Sequence, residues 1–261
     1  METNWTEDGG APALVPDRVR TLDDVTALHD ELLAAFADAD SVVCDLTSTA
    51  CEVDPADLAG ALAGVASRVV EWPGAVLTVV ALDDVREQLL LQPHPDSLVV
   101  LARRPASGER RPHAAVRACR QVLEPVLRAP ALARAFLRET LDGWPASGYR
   151  DDALVVVDEL VANAVLHAGT EIELRFALQP DRLGIAVADR SPGRPGVGRP
   201  PAGAESGRGL MLVDALARSW HVLPRRHGGK VVRAVLAAVP RPPGAPAAPG
   251  GEAAARGAGA A

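Results

Sequence analysis

Asp158-Glu159-Leu160-Val161-Ala162-Asn163-Ala164-Val165-Leu166-His167-Ala168 decides how this chain is read. It closes a longer periodic stretch, Tyr149 to Ala168, in which Leu154, Val157, Leu160, Val161, Ala164 and Val165 return every three or four residues, as on one helix face. Asp151 and Asp152 fall in its first turn, where the helix dipole favours acids. Glu159, Asn163 and His167 are spaced four apart and share a second face. A carboxylate and an amide one turn apart suit a metal-phosphate site. The amide oxygen is a hard ligand for Mg, and the carboxylate orients or deprotonates an incoming hydroxyl. The same pair equally suits a polar stripe on a half-buried helix, so the flanking sequence has to arbitrate.

Toward the C-terminus two strands are expected, Glu171 to Leu178 and Arg182 to Ala188, joined by Gln179-Pro180-Asp181. The second runs into Asp189-Arg190-Ser191-Pro192-Gly193. A carboxylate at a strand end can accept from the exocyclic amine of adenine, and Gly193 lets the backbone approach a flat base; taken alone, this is also an ordinary turn. Arg194 to Ser206 is a Pro/Gly-rich loop without apolar periodicity, as lids and binding loops are. Gly207-Arg208-Gly209 then opens a helix marked by Leu210, Leu212, Val213, Leu216 and Ala217, offering free N–H groups and a positive dipole end to a phosphate. Gly228-Gly229-Lys230 reads as a hairpin turn before a last strand, not a phosphate loop, because Val231 stands where Ser or Thr is needed. Arg225, Arg226, His227 and Lys230 read as a solvated turn, with partner contact as the other reading. His167 reads as a structural hydrogen-bonding residue before an acid-base one, and Trp220 as core.

Toward the N-terminus, the charged Pro/Gly stretch 103–112 reads as a linker. Before it, helices and short apolar strands alternate. Leu22 to Phe36 is helical, Ser41 to Leu46 a strand, and Pro55 to Val70 a helix with Asp54 as N-cap. Ala75 to Ala81 is a strand, Asp83 to Leu91 a helix and Ser97 to Ala102 a strand. That order predicts an α/β unit with helices packed on a sheet. After Pro240 the chain is almost wholly Pro, Gly and Ala and is expected to stay disordered. With 48% hydrophobic residues but 3% aromatic, the cores must be built from Leu, Val and Ala. A formal net charge of −7 argues against nucleic acid as a direct partner. The polar, acidic start is no signal peptide, and no apolar run reaches the roughly 18 residues of a membrane helix. A cytoplasmic protein without membrane contact is expected. Cys44, Cys51 and Cys119 lack metal-ligand spacing and read as small buried hydrophobes.

Taken in order, these signals resemble the GHKL (Bergerat-fold) ATP-binding domain. Asp158 to Ala168 is similar to its N-box, Asp189 to Gly193 to its first glycine box and Gly207 to Leu210 to its second. The short lid and the closing Trp220…Gly229-Lys230-Val231-Val232 resemble the branch containing the anti-sigma-factor serine kinases of bacteria. Two departures stand out: Ser191 occupies a position usually Gly, and the lid is poor in basic residues, Arg199 and Arg208 being nearest. Residues 11–102 resemble the STAS fold of anti-sigma-factor antagonists, but Asp54-Pro55-Ala56-Asp57 offers no hydroxyl where switched members carry Ser or Thr. A generic small α/β unit is the other reading of that segment.

The fold expected is therefore α/β in two domains. A STAS-like domain spans 11–102, and a GHKL α/β sandwich with helices on a mixed sheet spans 113–239; the linker is 103–112 and the tail 240–261. The resemblance implies ATP and Mg as cofactors. It makes Glu159 the catalytic residue that orients or deprotonates an acceptor serine and Asn163 the Mg ligand. Asp189 and Gly193 would read adenine, and Gly207, Arg208 and Gly209 would hold phosphate. The activity implied is phosphorylation of a STAS-fold antagonist, sequestration of a sigma factor, or both, with room for a homodimer. The alternative is a non-catalytic, nucleotide-gated protein-interaction module.

Overall fold

A computed structural model describes residues 2–8, 11–81, 83–103, 116–191 and 208–237. The expected tail, and all but the first residue of the expected linker, lie outside the described residues.

The first half opens with a hairpin of β1 (Thr3–Asp8) and β2 (Ala11–Pro16), then β3 (Arg18–Val19), which pairs with the later β5 (Ala50–Cys51). Three crossovers follow: α1 (Leu22–Asp38) to β4 (Ser41–Asp45), α2 (Pro55–Val69) to β6 (Val76–Val80), and α3 (Asp83–Leu91) to β7 (Leu98–Leu101). The sheet order is β1-β2-β4-β6-β7, and every pairing after the hairpin is parallel. Each crossover advances one strand in the same direction, so right-handed connection places all three helices on one face. There α1 packs on α2 and α2 on α3, over Leu14, Val42, Cys44, Leu77 and Val79. Both long helices start on side-chain caps. Thr21 Oγ1 accepts from Asp24 N while the Asp24 carboxylate accepts from Thr21 N and Arg20 N. The Arg20 N–H foremost holds that carboxyl down from 3.8 to about 2. Asp54 Oδ1 accepts from Ala56 N at 2.8 Å with Pro55 in the first turn, the start the sequence predicts.

The second half runs β8 (Arg117–Leu123), α4 (Ala129–Asp142), a 3₁₀ turn (Ser147–Tyr149), α5 (Arg150–His167), β9 (Ile172–Gln179), β10 (Arg182–Asp189), α6 (Arg208–Leu216), β11 (Ser219–Pro224) and β12 (Lys230–Ala237). Its sheet is antiparallel throughout, in the order β11-β12-β10-β9-β8. Side chains alternate across it. Ile172, Leu174 and Phe176 of β9, Leu183, Ile185 and Val187 of β10, and Val232, Ala234 and Leu236 of β12 form one core with α4 and α5.

The opposite face of this sheet is buried too. Ala177, Ala186, Ala188, Leu223, Val231 and Val235 join the core of the first half. Hence β10 reads as an unbroken apolar run: large residues face its helices, and small ones let the other half approach. At Gly184 a Cβ would come within 2.8 Å of the Trp72 ring and 2.9 Å of Pro73 Cδ, so glycine is required by contact. Arg233 lies over the Trp72 ring, 4.4 Å from its centre, and donates to the Phe36, Ala37 and Ala39 carbonyls at the C-terminal end of α1. Burial, with Arg175 nearby, pushes its basicity down to about 9. Trp72 Nε1 donates to Asp40 at 2.7 Å, and Arg175 pairs with the same carboxylate. The two halves therefore meet in one continuous core, and the second half keeps a further core of its own on the helix side of its sheet.

Candidate functional site

Helix α5 buries Ala153, Val156, Val157, Leu160, Val161 and Ala164 against the second sheet. That apolar face fixes the rotation of the helix and leaves Glu159 and Asn163 half-buried on another. Asp158 beside them is held by Arg134 of α4. Gly169, with φ +59°, ends α5 and donates to the Ala164 carbonyl. Thr170 Oγ1 then accepts from Arg190 N at 3.0 Å, tying the helix end to the residue after β10. Asp189 is thus near the C-terminal end of α5, and Asn163 lies one turn closer to that end than Glu159.

Asn163 Nδ2 is buried with no hydrogen-bond partner among the described residues. An unspent amide in such a place is costly unless something else uses the group. Glu159 meets the start of α6: a Cβ on Gly209 would overlap Glu159 Oε2. Glycine there lets the positive end of α6 rest on the carboxylate.

Asp189 is 3% exposed and shares the inner face of β10 with Val187 and Ile185. Its Oδ1 accepts from Ser191 N at 2.8 Å, closing a local turn, and from Lys230 Nζ at 2.9 Å. Lys230 stands directly opposite Asp189 across the β10–β12 ladder and is 8% exposed. This corrects the expectation of a solvated basic turn. Lys230 is buried and ion-paired, Arg225 bridges Asp38 and Glu173, and Arg226 lies 3.6 Å from the centre of the Trp5 ring. Charge clustering signalled the turn, whereas strand register decided where each charge went. Gly228 and Gly229, with φ +87° and +90°, make the tight turn the sequence predicts. Gly229 presses on the Asp189 carbonyl, where a Cβ has no room.

The remaining expected site residues divide. Gly193 and Gly207, with Arg199, lie outside the described residues; Arg208 opens α6 as its first residue. Ser191 follows Asp189 at the turn. His167 is exposed and makes no hydrogen bond among the described residues. Trp220 is half-buried against the helix-side core, with Nε1 donating to Asp214 at 3.0 Å. Cys44 is buried and its thiol is pushed up by that burial; Cys51 is exposed and Cys119 intermediate, so the small-hydrophobe reading fits Cys44 alone.

The donor set suits Mg-nucleotide chemistry. Among the described residues no three His, Cys, Asp or Glu side chains gather to hold a metal alone. Mg commonly takes one or two protein oxygens and keeps phosphates and water for the rest; here the Asn163 side chain carries one such oxygen, Oδ1, one turn from the Glu159 carboxylate. Asp189 supplies an acceptor for an amine, and the α6 N-terminus supplies N–H groups for an anion.

Comparison with known proteins agrees over this half. Residues 110–236 match the family model described as the histidine kinase-like ATPase domain. Among solved structures, the RsbU and RsbW domains of a Mycobacterium tuberculosis protein are similar at 23% identity with a TM-score of 0.35. That match covers 46% of this chain and 33% of the other, so this chain spans about a third of its length. No curated protein matches the chain. From residue 110 to 236, just under half of its length, this chain is similar to histidine kinase-like ATPase domains.

Proposed function

We propose that the second half binds Mg-ATP and transfers the γ-phosphate to a serine or threonine of a protein antagonist, in the manner of the anti-sigma-factor kinases its motifs resemble. The observation that carries this is the buried Asn163 Nδ2, without a partner among the described residues, one turn from Glu159, whose carboxylate lies against Gly209 at the start of α6. Mg-ATP, when bound, supplies the phosphoryl group and the charge-neutralising metal. Asn163 turns its amide oxygen to the metal. Glu159 orients the incoming hydroxyl and accepts its proton. Asp189 accepts from the exocyclic amine of the base, and Arg208 and Gly209 offer backbone N–H groups to phosphate oxygens at the α6 N-terminus; Gly193 and Gly207 complete the two glycine boxes in sequence. Catalysis of this kind is positioning and charge stabilisation, and the core fixes Glu159 and Asn163 on α5 and Asp189 at the end of β10.

The first half supports a regulatory role. Its hairpin, three crossovers and mostly parallel sheet support reading it as a STAS-like unit, whose partners would be a STAS-fold antagonist, a sigma factor or a second copy of this chain. Where a phosphoacceptor would sit, Asp54 caps α2 and Ala56 follows, so this half is not its own substrate there. That same feature favours the second reading, a nucleotide-gated interaction module without transfer. Labelled ATP incubated with the chain and STAS-fold proteins separates the two, because a gate transfers no label. Among the described residues no helix is long and apolar enough to cross a membrane.

A further inference from the structure

The Asp189–Lys230 pair is more elaborate than a hairpin requires. An apolar residue at the first position of β12 would register the strand equally well, whereas burying two charges carries a desolvation penalty that their attraction only offsets when geometry is good. Here it is good. The ammonium is 2.9 Å from Oδ1 and 3.5 Å from the Ser191 carbonyl, the Ser191 N–H meets the same Oδ1, and the Gly229 turn presses on the Asp189 backbone. The Ser191 N–H and the Lys230 ammonium both fall on Oδ1, and neither uses Oδ2.

We propose that Lys230 is the positioning residue that sets base specificity: it holds the Asp189 carboxylate turned so that Oδ2 accepts from the amino group of a 6-aminopurine. This rests on reading the site as a nucleotide pocket. Lys230 touches Asp189 and does not need to touch the base. Without the ammonium on Oδ1 the buried carboxylate is free to rotate toward another donor, and that rotation removes the acceptor an amine requires.

The test titrates the full chain, with Mg, against ATP and against purine riboside 5′-triphosphate, which lacks the 6-amino group. Wild type should prefer ATP by on the order of tenfold to a hundredfold, the worth of one hydrogen bond to a charged acceptor. Lys230→Met should bring the two affinities within about threefold, as should Asp189→Ala, by weakening ATP rather than the analogue. Lys230→Arg should restore the preference. A folded Lys230→Met chain with the wild-type ratio overturns the proposal, as does equal weakening of both ligands. If Lys230→Met does not fold, Lys230→Gln decides: a reduced ratio supports the positioning role, and a wild-type ratio refutes it. Wild type that binds ATP and the analogue equally, or neither, overturns the base-pocket reading and the proposal together. A wild-type preference that survives loss of Lys230 overturns the proposal alone.

Discussion

Trp72 joins the two halves, and its removal has a calculable consequence. The side chain is 3% exposed, its ring packs over Gly184, and Nε1 donates to Asp40 at 2.7 Å. Arg233 lies 4.4 Å above the ring and Arg175 5.8 Å from it. Truncating a buried Trp to Ala costs about 3–5 kcal/mol where the site cannot collapse. Collapse is limited here, because one wall is the β10 backbone and the other a buried guanidinium. Loss of the cation–π contact with Arg233 adds about 1 kcal/mol. Trp72→Ala should therefore lose about 5 kcal/mol, a third or more of the stability typical of a domain. Trp72→Phe keeps the ring but leaves Asp40 without its indole donor and should lose about 2 kcal/mol. Urea denaturation followed by far-UV circular dichroism measures both. Because Trp72 serves a core spanning both sheets, amide exchange should accelerate in β10 as well as in β6. A loss below about 1.5 kcal/mol for Trp72→Ala, or faster exchange in β6 alone, would refute the shared core.

Three further outcomes follow from other contacts. Gly209→Ala sets a methyl against the Glu159 carboxylate, a movable side-chain end, so the chain should fold normally while phosphoryl transfer drops more than Mg-ATP affinity; this is measured as kcat against Kd. Gly229→Ala adds a side chain at φ +90° against the Asp189 carbonyl, so it should cost about 2 kcal/mol or more in thermal melts and weaken ATP binding as well. His221 faces Arg68, Glu71, Trp72 and Arg233 between the halves, and burial first, then Arg68, lowers its basicity below 6.5. The unfolded chain then binds the extra proton, so stability should fall as pH drops through 6.5 and below, and His221→Gln should flatten that slope in denaturation titrations.

The sequence was most legible where periodicity and ordered motifs agree. Helix α5, strands β9 and β10, the glycine turn before β12 and the Asp54 cap all fall where patterning places them. Strand β1 was hidden because Thr3-Asn4-Trp5-Thr6-Glu7-Asp8 is an edge strand with too few apolar residues to alternate. Strand β8 was hidden likewise, since Leu123 is its one fully buried residue. The union of the two halves was written only in the small residues Gly184, Ala186 and Ala188, whose face an apolar run does not disclose. Lys230 was misplaced because a basic residue in a basic cluster looks solvated until strand register sets it opposite Asp189. Sequence spacing brought Glu159 and Asn163 to one helix face; only tertiary packing shows the Asn163 donor unspent and Gly209 against Glu159.

The most direct test of nucleotide binding is calorimetric titration of Mg-ATP into wild type and Asn163→Ala, with circular dichroism confirming that both are folded. Wild type should release heat and saturate, and Asn163→Ala should bind more weakly by on the order of a hundredfold. A wild-type chain that gives no binding, or an Asn163→Ala chain with unchanged affinity, would contradict the assignment of this helix as the site of Mg-ATP.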